Sequence, residues 1–248
     1  MPNRKIKAVL FDFGETLLTF GRVNTLHLFR QGARLSYNYL KDSRQPIGNF
    51  QWYLYRSLLS LWMHSLASNI TGSDFDSLAL LKKTGIKKGI CLDDQQWEKV
   101  ACLWYEPLSR IAKVEPDIAE TLNTLKNLGL KLGLVSNTFV PRCCLEKHLA
   151  QYGILDFFEL RLYSYQVGFR KPDTKIFRTA AAKIGELPEN IMFVGDRLDN
   201  DIKPALKLGM SAVMKKAYTN TGVSLPAGVK KITHLSELPA LIKEMETI

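Results

Sequence analysis

Four polar stretches hold the residue types that move phosphoryl groups, and each follows an apolar run. Asp12 ends Ala8-Val9-Leu10-Phe11, and Ser136-Asn137-Thr138 follows Leu132–Val135. Lys171 closes the loop after Glu159–Ser164, and Gly195-Asp196 follows Ile191–Val194 with Asp199 and Asp201 just beyond. A carboxylate held at a strand end can attack phosphorus and carry the group covalently. A phosphoryl dianion repels that carboxylate, so positive charge has to stand beside both. Asp12 and Asp196 suit a hard cation such as Mg²⁺, which takes oxygen ligands and retains waters. Lys171 supplies a point charge for a phosphate oxygen, and Ser136 supplies a hydrogen-bond donor. The three aspartates between 196 and 201 repel one another unless a metal or a lysine neutralises them.

The elements that must position these groups alternate between strand and helix. Strands are predicted at Lys5–Leu10, Leu132–Ser136, Glu159–Ser164, Ile191–Gly195 and Ser211–Met214, with a short one at Lys230–Thr233. Helices are predicted at Pro116–Leu128, Pro141–Tyr152, Pro172–Ile184 and Asn200–Leu208, with a closing helix at Leu235–Glu246. Pro116 and Pro172 fit the first helical position with Asp117 and Asp173 in the first turn, and Gly129, Gly153, Gly185 and Gly209 stand at helix ends. This alternation implies an α/β fold: a Rossmann-like parallel sheet with helices on both faces. In such sheets ligands bind outside the carboxyl ends of the strands, where every polar stretch above falls.

Residues 21–112 differ. They lack a β-branched run and read as helices at Val23–Lys41, Phe50–Ser68, Asp74–Lys83 and Asp93–Ile111. Breaks are expected at Pro46-Ile47-Gly48, Thr71-Gly72 and Thr84-Gly85. An all-helical insertion after the first strand is a second domain, leaving 1–20 and 113–248 as the α/β core. Its aromatics, Trp52, Tyr53, Tyr55, Trp62, Trp97, Trp104 and Tyr105, are expected mostly in the helical core, with a minority facing the cleft between the domains.

Composition sets the bounds. Of 248 residues 46% are hydrophobic and 23% charged, which excludes a disordered chain. No apolar run nears the ~18–20 residues of a membrane span. The net charge of +10 could draw nucleic acid or small anions, but the lysines fall in scattered pairs such as Lys82-Lys83 and Lys215-Lys216. A solvated basic surface is therefore expected, with no nucleic-acid or membrane partner. Cys91, Cys102, Cys143 and Cys144 show no C-x-x-C spacing, which points to reduced thiols and a cytoplasmic location. His27, His64, His148 and His234 have no ligand spacing.

With all four stretches in order, the chain resembles the haloacid dehalogenase superfamily. Phe11-Asp12-Phe13-Gly14-Glu15-Thr16-Leu17 is similar to its D-x-D-x-T motif, Leu134-Val135-Ser136-Asn137 to its second, and Gly168–Asp173 to its third. Val194–Asp201 is similar to its G-D-x-x-x-x-D motif, and the insertion to its helical cap. The resemblance implies a Mg²⁺-dependent phosphatase acting on a small phosphorylated metabolite through an aspartyl phosphate. Asp12 would be nucleophile and metal ligand, and Gly14 would offer its carbonyl to the metal. Ser136 would bind phosphoryl oxygens, with Asn137 and Thr138 beside it on the substrate. Lys171 would stabilise nucleophile and phosphoryl group. Asp196 would ligate the metal, and Asp201 would hold the site directly or through water. Asp199 is expected to cap a helix.

One position departs from the pattern. Phosphatases of the family place a general acid two residues after the nucleophile, where this chain has Gly14. General acid catalysis is typically worth ~10²–10⁴ in rate. The substrate then has a good leaving group, or Glu15, a cap residue or water gives the proton, or the protein is not a phosphatase. Glu15 itself reads as a surface turn residue. The alternatives are a metal-free 2-haloacid dehalogenase, a phosphonate hydrolase, and a non-catalytic binding protein on the same fold.

Overall fold

The computed structural model describes residues 6–247. Its main elements are β1 (Ala8–Phe11), α1 (Thr25–Asp42), α2 (Phe50–Thr71), α3 (Ser77–Ile86), α4 (Asp94–Ile111), α5 (Ile118–Asn127), β2 (Lys131–Ser136) and α6 (Arg142–Gln151). These are followed by β3 (Leu160–Tyr163), α7 (Ser164–Val167), α8 (Thr174–Ile184), β4 (Ile191–Gly195), α9 (Lys203–Lys207), β5 (Ser211–Lys215), β6 (Lys230–Ile232) and α10 (Leu238–Thr247). The expected strand start at Lys5 lies outside the described residues.

The chain divides into two compact units. Among the described residues, the first comprises 6–21, 113–137 and 149–247, and the second 22–112 and 138–148. The segment 138–148, read from sequence as core, groups with the helices, and the boundary falls inside α6.

The first unit is a six-stranded sheet in the order β3-β2-β1-β4-β5-β6, every pair parallel. Its strands are short apolar runs because both faces are covered. Ala8, Leu10, Ile191, Phe193, Ala212 and Met214 share one core with Ile176, Phe177 and Ala180 of α8 and Ala205 of α9. The alternate residues Val9, Phe11, Met192 and Val194 are equally buried, so the opposite face is covered too. Gly133 permits the β2 backbone to lie close to Leu10: a Cβ there would stand 2.6 Å from that side chain.

Helix starts differ slightly from the sequence reading. Asp117 and Asp173 are N-cap residues rather than first-turn residues, and Asp173 accepts from the Lys175 N–H at 2.9 Å. The expected helix Asn200–Leu208 is a π-turn over Leu198–Ile202 continuing into α9.

The second unit is helical throughout its regular elements. Asn24, Asn49 and Asp76 cap α1, α2 and α3, and Asp93 forms a capping box with Gln96 before α4. Its core gathers Ala33, Leu40, Phe50, Tyr53, Ile90, Trp97 and Val100. Thr84-Gly85 does not break the chain. Gly85 lies within α3, where the Trp97 ring fills the space a Cβ would take, and the turn comes later, at Gly89 with φ +82°.

One expectation holds in part and one fails in this unit. Tyr53 and Trp97 join the core with Trp104 against it and Tyr105 is buried, whereas Trp52, Tyr55 and Trp62 are exposed, since α2 turns Phe50 and Tyr53 inward. Cys102 and Cys144 form a disulfide between α4 and α6, with Cys143 Sγ 3.9 Å from Cys144 Sγ. Their separation of 42 residues leaves no local signal for the pairing. The compartment reading drawn from reduced thiols loses that support. The unit also carries a half-open apolar pocket of about 570 Å³, lined in part by Phe29, His64, Trp104 and Phe139. Among the described residues no helix is long and apolar enough to cross a membrane.

Candidate active site

The sheet order reverses at β1, whose neighbours are β2 and β4, and a crevice is expected outside the carboxyl ends of strands at that point. Asp12 directly follows β1 and Asp196 directly follows β4. The Asp12 N–H donates to the Val194 carbonyl at 2.9 Å, continuing the ladder one residue past β1. That register brings the two carboxylates to neighbouring strand ends. Ser136, the last residue of β2, is buried on the other side of β1.

Lys171 is the hub. Its side chain is 2% exposed, and Nζ donates to Asp12 Oδ1 at 2.5 Å and to Asp201 Oδ1 at 2.6 Å. Asn137 fixes the backbone beneath it. Asn137 Oδ1 accepts from the Lys171 N–H at 2.8 Å, and Asn137 Nδ2 donates to the Lys171 carbonyl at 2.7 Å. The residue after Ser136 thus ties the β2 end to the loop bearing the lysine.

Asp201 is presented by the π-turn, a widened helical turn of a kind frequent at functional sites. Its Oδ2 accepts from the Arg197 N–H at 2.9 Å. Gly195 makes the close approach possible: a Cβ there would lie 2.5 Å from both Cβ and Cγ of Asp201. Asp196 is held from the turn after β5, since Thr219 donates to its Oδ2 and Asn220 Nδ2 to its carbonyl at 2.8 Å.

The electrostatics follow from burying three carboxylates with one ammonium. Burial raises Asp12 to about 7; Lys171 opposes this, while Asp201 and Asp196 add to it. Burial likewise raises Asp196 to about 6, against the Thr219 hydrogen bond. For Lys171, burial works against the charge, but Asp12 and Asp201 outweigh it and hold the ammonium above its ordinary range. Carboxylate oxygens of Asp12, Asp196 and Asp201 lie within 4.8 Å of one another. An all-oxygen set with excess negative charge fits a hard divalent cation.

Of the residues singled out by sequence, Asp12, Lys171, Asp196 and Asp201 come together, with Asn137 bonded to the lysine backbone. Gly14 lies in the tight turn after β1, where it bridges to Leu18. Thr138 groups with the helical unit, and its hydroxyl accepts from the Val140 N–H at 2.9 Å. Asp199 does not cap a helix: it is exposed and pairs with Lys203 at 2.7 Å.

Glu15 is not a surface residue. It is 8% exposed at φ +59°, and Oε1 accepts from the Phe20 and Gly21 N–H groups, each at 2.9 Å. It clasps the turn that leads out of the sheet unit. Thr219 and Asn220 were not anticipated. Their one available signal was their place just beyond the β5 end.

A family model described as haloacid dehalogenase-like hydrolase matches residues 6–209. The chain is 31% identical over 211 residues to a glyceraldehyde 3-phosphate phosphatase of Methanopyrus kandleri, covering 84% of this chain and 83% of that one. It is 37% identical over 98 residues to a phosphoserine phosphatase of Thermus thermophilus, covering 40% and 39% of the two. A phosphatase structure from Thermococcus onnurineus superposes with a TM-score of 0.62 at 24% identity, over 96% of this chain and 98% of that one. A 2-haloacid dehalogenase of Pseudomonas syringae superposes at 0.57 with 20% identity, over 96% and 99%, so fold similarity alone does not separate the two chemistries. With the polar ends of β1, β2 and β4 gathered around one buried lysine and a family match over most of its length, the chain belongs to the haloacid dehalogenase-like hydrolases.

Proposed function

We propose that the protein is a Mg²⁺-dependent phosphohydrolase of a small phosphorylated metabolite, with Asp12 as nucleophile and the helical unit as its cap. The observation that carries this reading is the buried Asp12–Lys171–Asp201 ion triad, with Asp196 completing an acidic cluster. Metal-free attack on carbon gives no use for that cluster. Relatives named for glyceraldehyde 3-phosphate and phosphoserine support a phosphate monoester as substrate.

Asp12 and Asp196 would hold the cation with the Gly14 carbonyl. Both oxygens of Asp201 already accept hydrogen bonds, which favours an outer role through water. A bound divalent cation would supply positive charge that attracts the phosphoryl group and keeps Asp12 and Asp196 ionised. An Asp12 oxygen attacks phosphorus, and the bond to the ester oxygen breaks with its electron pair going to the leaving group. Lys171 fixes the carboxylate beforehand and offsets charge on the transferring group. Ser136 donates to a phosphoryl oxygen. Water then attacks phosphorus, the Asp12–phosphorus linkage breaks, and inorganic phosphate departs with the carboxylate restored.

Leaving-group protonation is the step this chain supports least. Gly14 has no side chain to give a proton, and Glu15 Oε1 is engaged by two backbone N–H groups. Substrates with stable leaving groups are expected to turn over faster by roughly the ~10²–10⁴ that general acid catalysis is worth. Turnover of p-nitrophenyl phosphate, acetyl phosphate and an alkyl sugar phosphate tests this with Mg²⁺, with EDTA and in Asp12→Asn. Activity that needs Mg²⁺ and Asp12 and favours the first two is the expected result. Metal-independent release of chloride from chloroacetate, with no phosphatase activity, would overturn it.

A further inference from the structure

Helix α2 turns an apolar stripe outward. Trp52, Tyr55, Leu59, Trp62, Leu66 and Ile70 are all exposed, from 42% at Leu59 to 78% at Ile70. Their spacing of three, four, three, four and four residues places them within an arc of about 80° at 3.6 residues per turn. The inward face is already used, by Phe50, Tyr53 and Ser68. Arg56 is the single charged residue among the 22 of α2, and it lies against Trp52, 5.9 Å from the ring. At the chain's 23% charged composition, a helix of that length would carry about five. A solvated helix is not built this way.

The size and spacing of the stripe indicate what covers it. With aromatic side chains of roughly 150–250 Å², the exposed parts of these six residues amount to on the order of 700 Å². A standard interface takes about 800 Å² from each partner, whereas a chance surface patch seldom exceeds a few hundred. Alternating spacings of three and four are the seam of two packed helices. An interfacial membrane helix carries Lys and Arg on its polar face, and α2 has none beyond Arg56.

We propose that this stripe joins two copies of the protein, α2 against α2, around a two-fold axis. Such an interface must be complementary to itself. Antiparallel pairing centred between residues 60 and 61 meets that demand, setting Tyr55 against Leu66 and Leu59 against Trp62, with Trp52 within one residue of facing Ile70. Large residues then face smaller ones along the seam, and Trp62 lies next to the axis, where aromatic anchors carry most binding energy. Arg56 stands beside the seam, and the α2 of the second copy offers no further Lys or Arg to oppose it there.

Sedimentation velocity of the full chain across the micromolar range tests the pairing. The wild type is expected at twice its 28.2 kDa. Trp62→Glu and, separately, Leu66→Lys are expected to weaken association at least tenfold and give monomers with an unchanged circular dichroism spectrum. Both positions are exposed, so two independent folding failures are not expected. A wild type that stays monomeric throughout, or variants that remain dimeric, would overturn the proposal. So would a monomeric wild type that cosediments with anionic vesicles, which would give the stripe to a lipid surface instead.

Discussion

Lys171 shows how one side chain can be both structural and chemical. Two carboxylates approach its ammonium within 2.6 Å, and all three groups are withdrawn from water. Removing one member of such a buried set leaves the others uncompensated, at about 3–5 kcal/mol. Lys171→Met is therefore expected to lower the denaturant midpoint by a stability loss on the order of 3 kcal/mol and to abolish turnover. Unchanged stability would mean that Asp12 and Asp201 can share the site without the lysine. These principal residues were legible in the sequence because each directly follows an apolar strand, or the loop from one, and chemistry requires a carboxylate, an ammonium and a hydroxyl there. Their supports were not. Asn137 acts through two backbone hydrogen bonds to a residue 34 positions away, and Thr219 reaches Asp196 across 23. Neither spacing is periodic, so no local pattern reveals them. Glu15 has a residue type that suits a surface turn, whereas its backbone conformation folds the side chain inward to cap Phe20 and Gly21.

At the scale of elements, the strands and their order follow from alternation with helices, while turn geometry does not. The step from β4 into the π-turn decides where Asp201 goes, and it depends on Gly195. A methyl group at Gly195 would meet Asp201 at 2.5 Å, so one of the two has to shift. Gly195→Ala is expected to cost roughly 1–3 kcal/mol by overpacking and to lower kcat more than 10²-fold, through a misplacement on the order of an ångström. Near-normal kcat would show that the position of Asp201 is uncritical. The sequence read this stretch as an ordinary helix from Asn200, since Asp, Asn and Ile carry no mark of a π-turn. Trp52, Tyr55 and Trp62 of α2 lie outside the core for a related reason. A stripe spaced for helix packing looks the same whether its partner lies within the chain or in another copy.

At the scale of the whole molecule, an all-helical insertion in an α/β chain was legible from the lost β-branched runs, but the grouping of residues 138–148 with it was not. That segment brings His148 to Tyr105, whose hydroxyl lies 2.8 Å from Nδ1. Burial pushes His148 down from 6.5 to about 4, against a backbone hydrogen bond to Ser109. The unfolded chain therefore binds more protons between these values, so this residue removes stability as pH falls from about 6.5 towards 4. His148→Asn is expected to reduce the acid-induced loss, relative to wild type, by on the order of 2–3 kcal/mol in parallel denaturant titrations. Identical pH dependence in both proteins would contradict a buried neutral histidine. Cation binding has a global readout as well. At a hundredfold excess over Kd, Mg²⁺ is expected to stabilise the fold by about 2.7 kcal/mol and raise Tm, with the increment lost in Asp196→Asn. An equal increment in that variant would place the cation elsewhere.

The covalent role of Asp12 admits the most direct test. Acid quenching during turnover of acetyl phosphate with Mg²⁺, followed by peptide mass mapping, is expected to find a phosphoryl adduct on Asp12 that decays once substrate is exhausted. Steady turnover with no adduct on the peptide containing Asp12, and undiminished turnover in Asp12→Asn, would contradict the aspartyl-phosphate mechanism.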